Sequence, residues 1–378
     1  MTLHIFNPEH DIALASNLAC FTAPHAGRQL RHDLAFLPAL WASPNDVLMS
    51  DDASAAQQSL ERFAQSMRRS LGISISCVRQ WVQYGRPSIL WQSVTEVEPW
   101  GWDSALRARL LHCGVNITTM PSDEAIATMR QLSHRRTAAA LLPLLRTEGT
   151  VGEAFECQSE EEISELLSRH GHLVLKAPWS SSGRGIRFVN RELFSPTSHD
   201  EKPNDYGLKG WLRNIIAKQG SVMAEPYYNK VKDFGMEFHS DGCGQIEYLG
   251  LSLFHTANGA YTGNIIATEA AKREMIGRYL PLSLLDNVQE KICQELGPVF
   301  NSKYSGPFGI DMMIVHHPDN EPSTKDDELS LHPCVEINLR RTMGHVALAL
   351  TPTDDDIRRV MRIEYAKDCY KLKLSKMK

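Results

Sequence analysis

Hydrophobic residues fall along this chain in two rhythms. Short apolar runs at 3–6, 46–49, 73–78, 88–91 and 115–118 have the length and content of strands. Between them, 27–41, 53–71 and 103–113 carry apolar residues at helical spacing. Strands alternating with helices predict a parallel sheet with helices on its faces. No Gly-x-Gly-x-x-Gly follows the first run, so no dinucleotide site is predicted there.

The pattern changes past residue 121. Ser122, Asp123 and Glu124 suit the start of a helix, and residues 138–145 read as another. A strand is predicted around Phe155, a helix from Glu160 to His170 and a strand over 173–176. Polar stretches at 195–205 and 319–330 read as surface insertions. The tail, 353–378, is predicted to be an amphipathic helix with a basic end, packed on its own protein. With 378 residues the chain exceeds one ordinary core. Three parts are expected within an α/β class: a parallel-sheet domain at 1–121, a first lobe at 122–220 and a second lobe at 221–378.

Charge and composition narrow the partners. A formal net charge of −5 gives no general attraction for nucleic acid, which is not expected as a partner. No run approaches the roughly 20 apolar residues of a spanning helix, and the opening residues lack the basic-then-apolar pattern of a signal peptide, so no membrane partner is expected. The eight cysteines are scattered without a Cys-x-x-Cys pair, which suits reduced thiols in a cytoplasmic protein. A homodimer is left open.

Three constellations carry chemistry. In the first, Leu173-Val174-Leu175-Lys176 runs into a loop containing Ser180, Ser181, Ser182, Gly183 and Gly185. Serine hydroxyls and glycine amides approach phosphate oxygens closely, and a lysine supplies a positive charge beside them; a plain hairpin with a snorkelling lysine has the same residues. In the second, Gly309-Ile310-Asp311 precedes Glu336-Ile337-Asn338-Leu339-Arg340. Strand alternation puts Glu336, Asn338 and Arg340 on one face, and Asp311 joins them if the two strands pair. Two carboxylates and an amide oxygen are hard ligands suited to magnesium; a solvated, salt-bridged sheet face is the alternative. In the third, Ala224-Glu225-Pro226-Tyr227-Tyr228, followed by Glu237, reads as a strand breaking at a hinge, with backbone groups for a base edge and an acid for ribose hydroxyls.

In this order the constellations resemble the ATP-grasp superfamily over residues 122–350. The resemblance implies a two-lobed ATP-grasp module and the cofactors ATP and Mg2+. Lys176 would bind phosphates, with Ser180, Ser181, Ser182, Gly183 and Gly185 as their cover. Ala224, Glu225 and Tyr228 would form the adenine hinge, with Glu237 at the ribose. Asp311, Glu336 and Asn338 match metal ligands, and Arg340 matches the arginine that faces the transferred phosphoryl group. Arg136 stands where an early phosphate-binding lysine is usual, with Arg135 beside it as the other choice. The spacing from Glu225 to Glu237 and the stretch between Asp311 and Glu336 are both longer than the family pattern.

The activity so implied is ligation. ATP would phosphorylate a small-molecule carboxylate, and an amine or peptide would displace phosphate, releasing ADP. A small-molecule kinase and a silent nucleotide-binding regulator are the alternatives, and a full set of three metal ligands argues against the regulator. For the acceptor, Asn7, Glu9, His10 and Asp11 are candidates by position just past the first strand, as a capped turn is. Trp100 and Trp102 about Gly101 either line a pocket or pack a core.

Overall fold

The computed structural model describes residues 1–77, 79–86, 88–180, 185–194, 203–257, 260–316 and 329–377. Its first four strands, Thr2–Ile5 (β1), Val47–Ser50 (β2), Gln80–Gln83 (β3) and Glu96–Pro99 (β4), form the expected parallel sheet in the order β3-β2-β1-β4. Helices Ala53–Leu71 and Ser104–Cys113 start where Asp52 and Asp103 accept hydrogen bonds from the amides of Ala55 and Leu106. Both stop at a glycine, Gly72 and Gly114, with left-handed backbone.

Three predicted strands are absent from this sheet. The described residues 73–77 have no regular structure, and Ile89–Ser93 and Ile117–Thr119 are single 3₁₀ turns. Local hydrogen bonds decide both turns: the Ser88 hydroxyl accepts from the Leu90 amide, and the Asn116 side chain accepts from that of Thr118. Such a bond offers the backbone a turn in place of a ladder, whatever the apolar content of the run.

A second, antiparallel sheet contains Phe155–Cys157 (β5), His172–Lys176 (β6), Ile186–Asn190 (β7) and Val222–Pro226 (β8), ordered β5-β8-β6-β7. Leu173, Leu175, Val222 and Ala224 pack on one face with Ile163, Leu167 and Leu212 from the helices Glu160–His170 and Pro203–Gln219. The alternation that buries these residues sends Lys176 and Glu225 to the opposite face. Although β8 follows residue 220, it pairs inside this sheet.

Among the described residues the third sheet has seven strands: Lys230–Ser240 (β9), Ile246–Ala257 (β10), Ala260–Ile266 (β11), Gly306–His316 (β12), Leu329–Asn338 (β13), Arg359–Tyr365 (β14) and Tyr370–Lys376 (β15). Their order is β13-β12-β9-β10-β11-β14-β15. Phe234, Phe238 and Phe308 are fully buried in it with Leu285, Ile292 and Phe300 of the helix Leu282–Phe300.

The predicted carboxy-terminal helix is therefore corrected to the antiparallel hairpin β14–β15. Leu372 and Leu374 alternate with Lys371, Lys373 and Ser375, a period of two rather than 3.6. Lys367 and Asp368 turn the chain, both with φ of 55°. Met361 and Leu372 are buried in one cluster with Phe36 and Leu60 of the amino-terminal part. Of the predicted insertions, 195–202 and 319–328 lie outside the described residues, and Leu329 and Ser330 open β13.

Candidate functional site

The β12–β13 pair sets Asp311 directly opposite Glu336, and Gly309 opposite Asn338. On its other side β12 pairs with β9, which sets Gly235 beside Asp311 and Glu237 beside Gly309. The Asn338 amide donates to Asp311 Oδ2 at 3.3 Å, and Arg340 Nη2 donates to Asn338 Oδ1 at 2.9 Å. Burial, then the charges of Glu336 and Glu237, push the Asp311 carboxyl up to about 7. Among the described residues no three His, Cys, Asp or Glu side chains gather as a metal site. This face offers two carboxylates and an amide oxygen.

Facing these strands, Lys176 Nζ lies 2.6 Å from Glu225 Oε2, and both side chains are about 6% exposed. Arg135 bridges the two sheets: its Nε donates to the Ala177 carbonyl at 3.1 Å, and its Nη2 stands 2.9 Å from Glu336 Oε1. Arg136 turns away to Glu156, 3.3 Å distant, and is half exposed. Of the two arginines, Arg135 is the one that joins the carboxylates. The difference between neighbours is one of helix phase: Arg136 opens the helix Arg136–Leu141, and Arg135 is its amino-terminal flank.

The other predicted residues divide. Ala224 is fully buried on the helix-covered face of β8, so only its backbone could meet a ligand. The Tyr228 ring stands edge-on to His332 with centroids 5.5 Å apart, and burial raises its hydroxyl to about 12. Ser180 packs close to Gly185, where an added Cβ would fall 2.4 Å from the serine side chain. Ser181, Ser182 and Gly183 lie outside the described residues.

Glu237 is placed under the helix Met343–Ala349 rather than beside Lys176 and Glu225. Thr342 Oγ1 donates to its Oε1 at 2.8 Å, and His345 Nδ1 is 2.9 Å from its Oε2. A Cβ at Gly344 would lie 1.8 Å from Glu237 Oε1, with Ser252 Oγ at 2.4 Å behind it. Gly344→Ala is accordingly expected to destabilise the protein by about 1–3 kcal/mol, the usual scale of overpacking. Urea unfolding of the variant checks this, and an unchanged midpoint would contradict the packing described.

Sequence reasoning did not single out His332. It is fully buried, neither ring nitrogen has a hydrogen-bond partner, and burial followed by the Lys176 charge lowers it to about 3. Only its even spacing from Glu336 on β13 hinted that it shares the polar face.

A cleft runs between the amino-terminal part and these strands, lined by His10, Asp11, Trp179, Ser180, Glu336 and Arg340. Within this lining Arg340 makes a bidentate pair with Asp11, Nε to Oδ1 at 2.7 Å and Nη2 to Oδ2 at 2.8 Å. Burial works against the Asp11 charge, but Arg340 outweighs it and holds the carboxyl below its ordinary value. Trp179, also in this lining, is fixed by Arg130 stacked 3.5 Å over its ring.

No protein-family model matches the sequence, and no curated protein matches it. Solved structures match in fold. Biotin carboxylase from Campylobacter jejuni, in its β-γ-ATP complex, aligns with a TM-score of 0.51 at 12% identity, over 97% of this chain and 77% of that one. N5-carboxyaminoimidazole synthetase from Staphylococcus aureus, complexed with ADP, gives 0.47 at 13% identity, over 97% and 83%. The biotin carboxylase domain of 2-oxoglutarate carboxylase from Hydrogenobacter thermophilus gives 0.48 at 13%, over 96% and 74%. At 12% identity the likeness to the Campylobacter biotin carboxylase is one of fold alone.

Proposed function

We propose that this protein is an ATP-dependent ligase that activates a carboxylate as an acyl phosphate and passes the acyl group to an amine, releasing ADP and phosphate. The observation that carries this reading is the pairing of Asp311 with Glu336 across two strands, with Asn338 beside them and the cations Lys176, Arg135 and Arg340 around them. Phosphoryl transfer requires positioning and charge neutralisation above all, and this arrangement would supply both. The ATP complex of the Campylobacter biotin carboxylase supports the choice of nucleotide.

Asp311, Glu336 and Asn338 are the residues that would hold magnesium. Their oxygens are the hard donors it takes, and of the causes that raise Asp311, burial first and then like-charge repulsion, the repulsion is what a divalent cation relieves. Bound there, the ion would neutralise phosphate oxygens. Lys176 would contact the phosphates, and Arg340 would face the transferred group from the cleft. The hinge would be the backbone of 224–228, with Tyr228 at its end. Arg135, through its bond to Glu336, orients that carboxylate.

ADP release is the direct test. With ATP, magnesium and an acid panel of the twenty amino acids and simple dicarboxylates, the correct acid plus hydroxylamine should give ADP, phosphate and a hydroxamate. AMP and pyrophosphate would mean adenylation instead, and a stable phosphorylated alcohol would mean a kinase. ATP binding with no product from any acid or alcohol would leave the nucleotide-binding regulator as the reading.

A further inference from the structure

The sequence Asn7-Pro8-Glu9-His10-Asp11, one residue past β1, holds four polar side chains that reach residues distant in the chain. Asn7 Nδ2 donates to the Gly101 carbonyl at 2.8 Å and to Asp103 Oδ2 at 3.2 Å, Glu9 pairs with Arg31, and Asp11 pairs with Arg340. His10 is 2% exposed and lines the cleft, yet its Nδ1 has no hydrogen-bond partner. That nitrogen stands 3.5 Å from Asp103 Oδ2, and Asp103 is itself 3% exposed.

We propose that His10, oriented by Asp103, is the general base that takes the proton from the attacking amine in this cleft. The proposal rests on the ligase reading above. In that step the amine nitrogen forms a bond to the acyl carbon, the bond from that carbon to the phosphate oxygen breaks, and phosphate leaves with the electron pair. The proton lost by nitrogen passes to His10 Nε2.

Four features of the site support the assignment. A hydrogen bond from Nδ1–H to Asp103, formed as substrate tightens the site, would fix the tautomer and leave Nε2 as the nitrogen that accepts a proton. The 3.5 Å separation is long for a hydrogen bond, as catalytic contacts often are before substrate tightens them. Asp103 is held in turn: its Oδ1 accepts from the Leu106 amide at 2.8 Å, so its aim is set by the start of a helix rather than by His10. The ring is also seated against Gly101, where a Cβ would meet Cγ, Cδ2 and Nε2 at 2.7 Å each. This contact gives the glycine between Trp100 and Trp102 its reason, since any side chain there would displace the imidazole.

The cleft brings the base and the proposed phosphoryl-facing arginine to one site. Glu336 and Arg340 line the same cleft as His10, and Arg340 would face the phosphoryl group being transferred. The charged groups around the ring are Asp11 on its own helix, Asp103 on the helix Ser104–Cys113 flank, and Arg340, Glu336 and Arg135 across the cleft. Asp103 touches no reacting atom and is a positioning residue.

Two nucleophiles separate the base from the rest of the machinery. Both nucleophiles lose a proton on attack, but hydroxylamine is mostly unprotonated near neutral pH and reacts with acyl phosphates readily without a catalyst, whereas ammonia is mostly protonated and depends on a base at the site. With the acid identified by the panel, His10→Gln should lower amide formation from ammonia about a hundredfold, the usual scale of general-base catalysis, and hydroxamate formation less than threefold. Asp103→Asn should lower the ammonia rate less and shift its pH profile. Gly101→Ala, which keeps the imidazole but moves it, should repeat the His10→Gln pattern. Added imidazole should restore part of the ammonia rate in His10→Ala. Equal losses with both nucleophiles, or no loss with either, would overturn the proposal while leaving the ligase intact. Wild-type protein that forms neither product with any acid would overturn the ligase reading, and the base with it.

Discussion

Asp311→Asn is expected to abolish turnover, by a thousandfold or more, while leaving the protein as stable as the unchanged chain at pH 8 or more so. The two halves have one cause. Burial and the charges of Glu336 and Glu237 push the Asp311 carboxyl up to about 7, against about 3.9 in an unfolded chain. Between those values the folded protein holds a proton that the unfolded chain has lost. The stabilisation is complete below about pH 4 and is lost as the pH rises through 7, by up to about 1.4 kcal/mol per pH unit. Above pH 7 the ionised Asp311 repels its neighbours, at a cost on the order of a few kcal/mol that solvent reaching this half-buried group reduces.

An asparagine carries no charge at any pH, and its side chain keeps the shape that meets Asn338. Urea midpoints of the two proteins without metal, at pH 5 and pH 8, measure the difference. The unchanged chain should lose more stability than Asp311→Asn over that interval. Magnesium with nucleotide should restore stability at pH 8 to the unchanged chain and little to the variant. Parallel pH slopes for the two proteins would contradict the electrostatics described, and an active variant at low magnesium would remove Asp311 from the proposed metal site.

The polar face on which that prediction rests was legible in the sequence because it depends on strand parity alone. Glu336 and Asn338 are two apart, and pairing of the two strands brings in Asp311. The helix Glu160–His170 was equally legible, since its capping serine, acidic first turn and apolar spacing agree. Other parts depend on contacts between distant residues. Arg135 and Arg136 differ locally only in helix phase, which the sequence did not resolve; their roles separate once the second sheet brings the Ala177 carbonyl to one and Glu156 to the other. Glu237 shares the face of Asp311 but is roofed by the helix Met343–Ala349, more than a hundred residues later. The carboxy-terminal hairpin is a different case. Its alternation was present in the sequence, and reading the basic tail at helical period obscured it.

Position on a strand also left the state of Lys176 unspecified. Read as a sequence, it is a lysine free to meet phosphate; in the folded chain it is buried against Glu225 at 2.6 Å. Lys176→Ala should therefore destabilise the protein by about 3–5 kcal/mol, because it leaves the Glu225 carboxylate buried without its cation. The paired substitution Lys176→Met with Glu225→Gln removes both charges and keeps most of the volume, so most of that stability should return. Nucleotide affinity should behave differently: under the proposed function, phosphates lose a charged contact worth about 1.5–3 kcal/mol in either protein. Urea unfolding and calorimetry of MgATP binding, applied to both variants, separate the two effects. Recovery of stability without recovery of affinity assigns Lys176 two roles, holding Glu225 in the free protein and meeting phosphate in the complex. If the paired variant binds MgATP as tightly as the unchanged chain, Lys176 is a structural ion-pair partner and has no place among the phosphate contacts.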